Sequence, residues 1–303
     1  MSAKQNKTLL TILGPTAVGK TAFAIEVAGH FNTEIISADS RQFYKQLNIG
    51  VARPTMLEME QVKHHFIAHI DLHEEYSAGS YARDALTTLN KLFTKHDVVV
   101  CTGGSMLFID ALLFGFDELP ADKNIRHELK QQWELNGIEW LQQELLRRDE
   151  THYSHVDIRN PHRLIRALEV CIATGKKYSD LRSGEHALRN FHTVKVGLNM
   201  QRSLLYKRIN QRVDEMMRQG LMQEAEQLMP LRHLNALNTV GYKELFAYID
   251  GSCTLHEATE KIKQHTRNFA KRQLTWWRAD TEINWMDITT RPPDLAFVKA
   301  LAE

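Results

Sequence analysis

A chain of 303 residues is longer than a typical single domain, so one large or two unequal domains are expected. Its 43% hydrophobic and 25% charged residues exclude a disordered chain, and a formal net charge of +1 leaves any contact with nucleic acid to local patches. Cys101, Cys171 and Cys253 are widely spaced with no CxxC pair, which argues against a disulfide framework or zinc cluster and fits a reducing cytoplasm.

In chain order, the apolar run TLLTIL is shorter than the ~7 to 15 residues of a signal-peptide core and leads straight into a glycine-rich loop. No membrane span is expected elsewhere. Residues 9–13 read as a strand and residues 21–30 as a helix. Between them Gly14, Pro15, Thr16, Ala17, Val18, Gly19, Lys20 and Thr21 spell GPTAVGKT, a full match to GxxxxGK[ST] in its required strand-loop-helix setting. Successive N–H groups and the helix N-terminus would cradle a polyphosphate. Lys20 would neutralise the terminal phosphate and the Thr21 hydroxyl would ligate Mg2+.

TEIIS at residues 33–37 reads as a second strand and is followed by Asp39. A carboxylate there is placed as a general base beside a phosphate loop, or it orders a turn. His64, His65, His69 and His73 have partial helical spacing, but no cysteine or suitably spaced carboxylate completes a metal site, so they read as structural or surface residues. VVVC at residues 98–101 runs into Thr102, Gly103, Gly104 and Ser105, where ATPases and GTPases usually carry a magnesium-binding acid. A motor or switch NTPase is therefore disfavoured. The glycine pair allows close approach of a ligand or a tight turn; Ser105 bonds substrate or caps the helix that starts near Met106.

Residues 122–174 change to long amphipathic helical stretches, read as an insertion that carries the basic cluster Arg159, His162, Arg163 and Arg166. A strand returns at residue 192, followed by helical patterns over residues 204–229 and 256–278. The fold class is α/β: a parallel sheet core of the phosphate-loop NTPase kind, residues 1–119 and 192–303, interrupted by a helical insertion at 120–191. Residues 261–278 hold Lys261, Lys263, Arg267, Lys271, Arg272 and Arg278 without an acid. Lys263, Arg267 and Lys271 fall on one helical stripe, and Ile262, Phe269 and Trp276 on another. Basic groups with aromatics suit looped RNA, although core packing suits Trp276 better than stacking. Two positive surfaces on separate domains suggest a clamp.

The collinear segments GPTAVGKT, SADSRQFYKQLNIG, HHFI, TGGSMLF, NPHRLIRALEV, LNTVGYKE and AKRQLTWWR resemble the tRNA dimethylallyltransferase family, also called tRNA isopentenyltransferases. The resemblance implies transfer of a dimethylallyl group from dimethylallyl diphosphate to the exocyclic amine of the adenosine 3′ to the tRNA anticodon. It implies that the loop and Lys20 hold a departing diphosphate and that Asp39 takes the amine proton. It also implies that Ser105 stands where threonine commonly contacts substrate, and that Arg212 reaches the diphosphate. The tRNA contacts it implies are Asp39, Ser40, Arg41, Gln42, Ser105 and Arg126; His162, Arg163 and Arg166; Asn238, Thr239, Val240, Gly241, Tyr242 and Lys243; and Lys271, Arg272, Gln273, Thr275, Trp276 and Arg278. Val18, Val51, Arg53 and Phe108 depart from the commoner family pattern. A cytoplasmic monomer is expected. Three other readings are a phosphate-loop kinase for a nucleoside or metabolite, an adenylate isopentenyltransferase using free nucleotide, and a nucleotide-gated RNA-binding module.

Overall fold

The structure, a computed structural model, describes residues 7–117, 119–182 and 187–302. The first half runs β1 (Thr8–Leu13), α1 (Lys20–His30), β2 (Ile35–Ser37), α2 (Met56–Gln61), β3 (His64–His65), α3 (Ala78–Leu92), β4 (Val98–Thr102) and α4 (Met106–Phe114). Four helices follow: α5 (Lys123–Arg148), α6 (Glu150–Tyr153), α7 (Pro161–Thr174) and α8 (Tyr178–Leu181). The chain then gives β5 (His192–Asn199), α9 (Arg202–Arg218), α10 (Leu221–Leu228), α11 (Tyr242–Ile249), α12 (Leu255–Trp277), β6 (Asn284–Asp287) and α13 (Leu295–Ala302). Two compact units result, Met1–Phe114 with Leu188–Glu303, and Gly115–Ala187.

The larger unit is an α/β layer structure around one sheet in the order β3-β2-β4-β1-β5-β6, with every pair parallel. β1 lies at its centre, Leu10 opposite Val100 on one side and Val194 on the other. Both faces are covered: Leu9 and Leu13 enter one apolar layer, Leu10 and Ile12 the other. Alternating side chains thus all find apolar neighbours, which is why the strand reads as an unbroken apolar run. β1, β2 and β4 are adjacent and end on the same side, and the loops leaving them carry the phosphate loop, Asp39 and Ser105. In open parallel sheets such C-terminal ends form the ligand crevice.

The helical pattern of residues 204–229 is divided in the structure. Gly220 adopts φ 103°, left-handed backbone that ends α9 and starts α10. The smaller unit, α5 to α8, packs Leu129, Leu141, Leu145, Leu164, Ile165 and Leu168 into its own core. Within it α5 is kinked at Gly137, where φ is 76°. α7 is opened by Pro161 after Asn160, whose side chain accepts the His162 and Arg163 amides, and it ends at left-handed Gly175.

Candidate active site

The phosphate loop is shaped by three left-handed residues, Gly14 at φ 142°, Ala17 at 66° and Gly19 at 111°. Gly14 also has no room for a side chain, since a Cβ there would stand 2.6 Å from the Leu198 carbonyl oxygen of β5. Ala17 is held in a conformation that costs a non-glycine residue roughly 1–2 kcal/mol. Val18 is fully buried in the core layer beside Phe23 and Leu198, so its departure from a polar residue is absorbed by packing.

Lys20 folds back over the loop, its Nζ donating to Gly14 O at 2.8 Å and Pro15 O at 2.9 Å. Burial pushes its pKa down to about 7, Asp39 opposes the shift and Arg212 adds to it. Arg212, from α9, sends Nη1 to Thr16 Oγ1 at 3.5 Å; burial and then Arg208 lower its pKa, while Asp39 raises it. Lys20, Asp39 and Arg212 therefore share one electrostatic site although they are remote in sequence. Arg208 belongs there too, with Nη2 3.6 Å from where a Gly19 Cβ would sit. Its spacing of four residues before Arg212 on α9 was a signal that could have found it.

Asp39 follows β2 through Ala38, whose N–H bonds Thr102 O. Both readings of this residue meet in the geometry. Oδ1 accepts the Arg41 amide at 3.1 Å, ordering the turn, while Oδ2 faces the Gly104 backbone, 3.2 Å from where a Cβ would stand. Burial raises its pKa against the Arg41 N–H bond and the Lys20 and Arg41 charges. The two glycines have separate reasons. A Cβ on Gly103 would come within 2.3 Å of the Ala38 carbonyl, so this is chain-to-chain crowding. One on Gly104 would meet Asp39 and, at 3.0 Å, the Gln273 side chain.

Ser105 does not cap α4 with its side chain. Its Oγ accepts the Ser40 amide and donates to Ser40 Oγ, each at 2.8 Å, tying the loop after β4 to the one after β2. Arg41 Nη1 donates to Asn235 O and Ala236 O, and Gln42 Nε2 donates to Val51 O and Ala52 O. These side chains brace the site's loops. Phe108 packs in an aromatic cluster with Phe43 and Tyr81, and Arg53 donates to Asn48 Oδ1.

Several positions expected to meet tRNA are buried. Tyr242 is fully buried with its hydroxyl on Glu224 Oε1 at 2.6 Å, and Gly241 is buried with its amide on Glu244. Gln273 is 0% exposed; it accepts the Thr16 amide and donates to Gly104 O, both at 2.8 Å. Asn238 and Lys243 are exposed, Thr239 and Val240 half-buried. On α12 the core tryptophan is Trp277, at 2% exposure, whereas Trp276 is 42% exposed with Nε1 on Asp110 Oδ2. The expected basic stripe is also partly spent. Lys263 pairs with Asp214 and Glu260, and Arg267 donates to Asn210 and lies over Tyr206. Lys271, Arg272, Thr275 and Arg278 remain exposed.

In the smaller unit, the buried Glu169 carboxylate accepts from Arg126 at 3.0 Å and from Arg166 at 3.0 Å. Arg166 also donates to Leu119 O and Pro120 O. Both arginines are half-buried, while His162 and Arg163 are exposed at the start of α7. For magnesium the donor chemistry is restrictive. The described residues hold no group of three His, Cys, Asp or Glu able to bind a metal ion; a Mg2+ ion at the loop would take the Thr21 hydroxyl with diphosphate oxygens and water.

A family model described as IPP transferase matches residues 42–280. The chain is 51% identical over 280 residues to a protein named tRNA dimethylallyltransferase from Christiangramia forsetii, covering 92% of this chain and 93% of that protein. It is 47% identical to one of the same name from Flavobacterium johnsoniae, with 94% of each covered. Among solved structures it is similar to the full-length tRNA isopentenylpyrophosphate transferase of Bacillus halodurans, with a TM-score of 0.71 at 34% identity, covering 98% of this chain and 94% of the other.

Proposed function

Because the chain belongs to the IPP transferase family, we propose the reaction of a tRNA dimethylallyltransferase for the site at the ends of β1, β2 and β4. The enzyme transfers a dimethylallyl group from dimethylallyl diphosphate to the exocyclic amine of the adenosine 3′ to the anticodon and releases diphosphate. The observation that carries the assignment of roles is the shared electrostatic site of Lys20, Asp39 and Arg212.

In this reading the diphosphate lies in the phosphate loop. Lys20 leaves the Gly14 and Pro15 carbonyls for its oxygens and regains its proton there. As the allylic carbon–oxygen bond breaks, its electron pair leaves with the diphosphate, where Lys20, Arg212 and the loop amides stabilise the growing charge. The adenine amine, unstacked to reach the crevice, forms the new carbon–nitrogen bond and loses a proton to Asp39. Burial raises the Asp39 pKa from its ordinary value, which makes it a stronger base than an exposed carboxylate. Mg2+ held at Thr21 would supply further neutralisation of the leaving group.

Exposed Lys271, Arg272, Trp276 and Arg278 on and after α12 supply the RNA surface of the larger unit, and Arg126, His162, Arg163 and Arg166 that of the smaller. The reading includes a cytoplasmic monomer; the three cysteines are free, and no helix of the described residues is long and apolar enough to cross a membrane. The test is incubation with labelled dimethylallyl diphosphate, Mg2+ and either unmodified tRNA, AMP or no acceptor. Label confined to tRNA is the expected result. Label in AMP would assign a free-nucleotide acceptor, ATP consumption with a small acceptor would assign a kinase, and tRNA binding without turnover an RNA-binding module.

A further inference from the structure

We propose that Gln273 is a positioning residue whose single buried carboxamide sets the register between the phosphate loop and the acceptor side of the active site. The buried stripe of α12 runs through Ala258, Ile262, Ala270, Gln273 and Trp277, so a polar side chain stands where an apolar one is the rule. Burial without partners would be costly, yet both ends of the amide are matched. The Thr16 N–H can only donate and the Gly104 carbonyl can only accept, so chemistry fixes which end of the carboxamide faces which. Oε1 takes the loop amide at 2.8 Å and Nε2 meets the Gly104 carbonyl at 2.8 Å.

The position of these partners makes the bond pair more than a core contact. Thr16 is part of the loop that holds the leaving group, and its amide is already committed to Gln273, so the protein shapes that loop before diphosphate arrives. Gly104 lies beside Asp39, whose Oδ2 is 3.2 Å from where a Cβ on that glycine would stand. One amide therefore spans from the leaving-group side to the base side. Neighbouring Lys271, Arg272 and Trp276 are exposed on the same helix, so a force on α12 from bound RNA is delivered to both ends of this amide. Misplacement by ~1 Å between reacting groups costs on the order of 10²-fold in rate, which is the effect such a tie controls.

This inference rests on the transferase reading, and its test has readouts with and without turnover. Gln273→Met removes both bonds at similar volume. Its kcat should fall roughly 10- to 100-fold and its Kd for inorganic diphosphate, measured by calorimetry, should rise about tenfold, while tRNA Kd stays within about threefold. Gln273→Glu keeps the acceptor for Thr16 but turns an oxygen toward Gly104 O and Asp39. Protonating the introduced carboxyl restores the missing donor, so the ratio of variant to wild-type kcat should rise at least about fivefold from about pH 8 to about pH 5.5. Wild-type kcat and diphosphate affinity in Gln273→Met, or a flat ratio in Gln273→Glu, would overturn the proposal. If Gln273→Met fails to fold, the Gln273→Glu ratio decides; if both unfold, the residue is structural and the proposal fails. A wild-type protein that prenylates no tRNA sinks the transferase reading instead, and the diphosphate affinities then still decide the loop-shaping half.

Discussion

The phosphate loop and α12 reach the same carboxamide from opposite ends of the chain, and they are built in opposite ways. The loop is made of main chain: its shape is set by left-handed Gly14, Ala17 and Gly19. On α12 it is the side chains that differ: adjacent Trp276 and Trp277 are exposed and buried, and on one stripe Lys271 is exposed while Lys263 is spent on Asp214 and Glu260. A backbone device is specified locally. A side-chain surface takes its meaning from whatever packs against it.

The sharpest break between turn-building and chemistry is at Asp39, where Asp39→Asn keeps an oxygen for the Arg41 amide and loses the base. The rate of prenyl transfer should fall roughly 10²- to 10⁴-fold, with diphosphate affinity changed only a few-fold. A tolerated asparagine would reduce Asp39 to a turn residue. Because burial raises its pKa and the ionised form is needed, wild-type kcat should be lost as pH falls, with a midpoint shifted upward from the ordinary aspartate value. The tryptophan pair gives the next largest effect. Trp277→Ala should cost about 3–5 kcal/mol in denaturant unfolding, while Trp276→Ala should cost below about 1 kcal/mol and act on the KM for tRNA. Equal losses of stability would erase the contrast.

The same contrast explains how much could be read from sequence. β1, β2, β4 and β5 were legible because both faces of the central sheet are covered and the runs are apolar. β3 and β6 were not: one is only His64 and His65, and the other, Asn284–Asp287, mixes polar residues on a half-buried edge. The loop motif carried its own geometry. Gln273 came from resemblance as a tRNA contact, and the apolar face of α12 was read through Ile262, Phe269 and Trp276 without it. Including it moves the centre of the stripe toward Trp277. Tyr242 and Gly241 came from resemblance; both are buried, Tyr242 against Glu224 of α10 and Gly241 with its amide on Glu244 in the first turn of α11. Arg208 offered only its spacing of four residues before Arg212; the approach of α9 to Gly19 that brings it to the site is tertiary.

Within the basic helix the side-chain argument divides the lysines. Lys271→Ala and Arg272→Ala should each weaken tRNA binding, by roughly tenfold or less at moderate salt, and reduce the salt slope by about one. Lys263→Ala should leave that slope unchanged, since its ammonium is already neutralised by two carboxylates. A slope lowered equally by all three would show that the internal pairs open for RNA.

The smallest effect concerns the lysine that folds back over the backbone-built loop. Burial brings Lys20 down to about 7 from an ordinary 10.5, so near neutrality about half of the ligand-free protein has it uncharged. A bound diphosphate adds negative charge and raises that pKa, so binding must take up a proton wherever the free protein has lost it. Below about pH 7 the lysine is already charged and little is taken up; above it, affinity should weaken by up to about tenfold per pH unit until the bound-state pKa is reached. At about pH 7 the cost is only about twofold. Calorimetry in buffers of different ionisation enthalpy should find up to about one proton taken up near pH 8, and none beyond the ligand's own in Lys20→Met. Stability gives a second readout of opposite sign. Between about 7 and about 10.5 the unfolded chain binds the proton that the folded one has lost, so ligand-free stability gains from rising pH across that window in the wild type and not in Lys20→Met. Identical proton uptake by both proteins would mean that Lys20 stays charged over its own loop carbonyls, and that the loop binds diphosphate with a cation already in place.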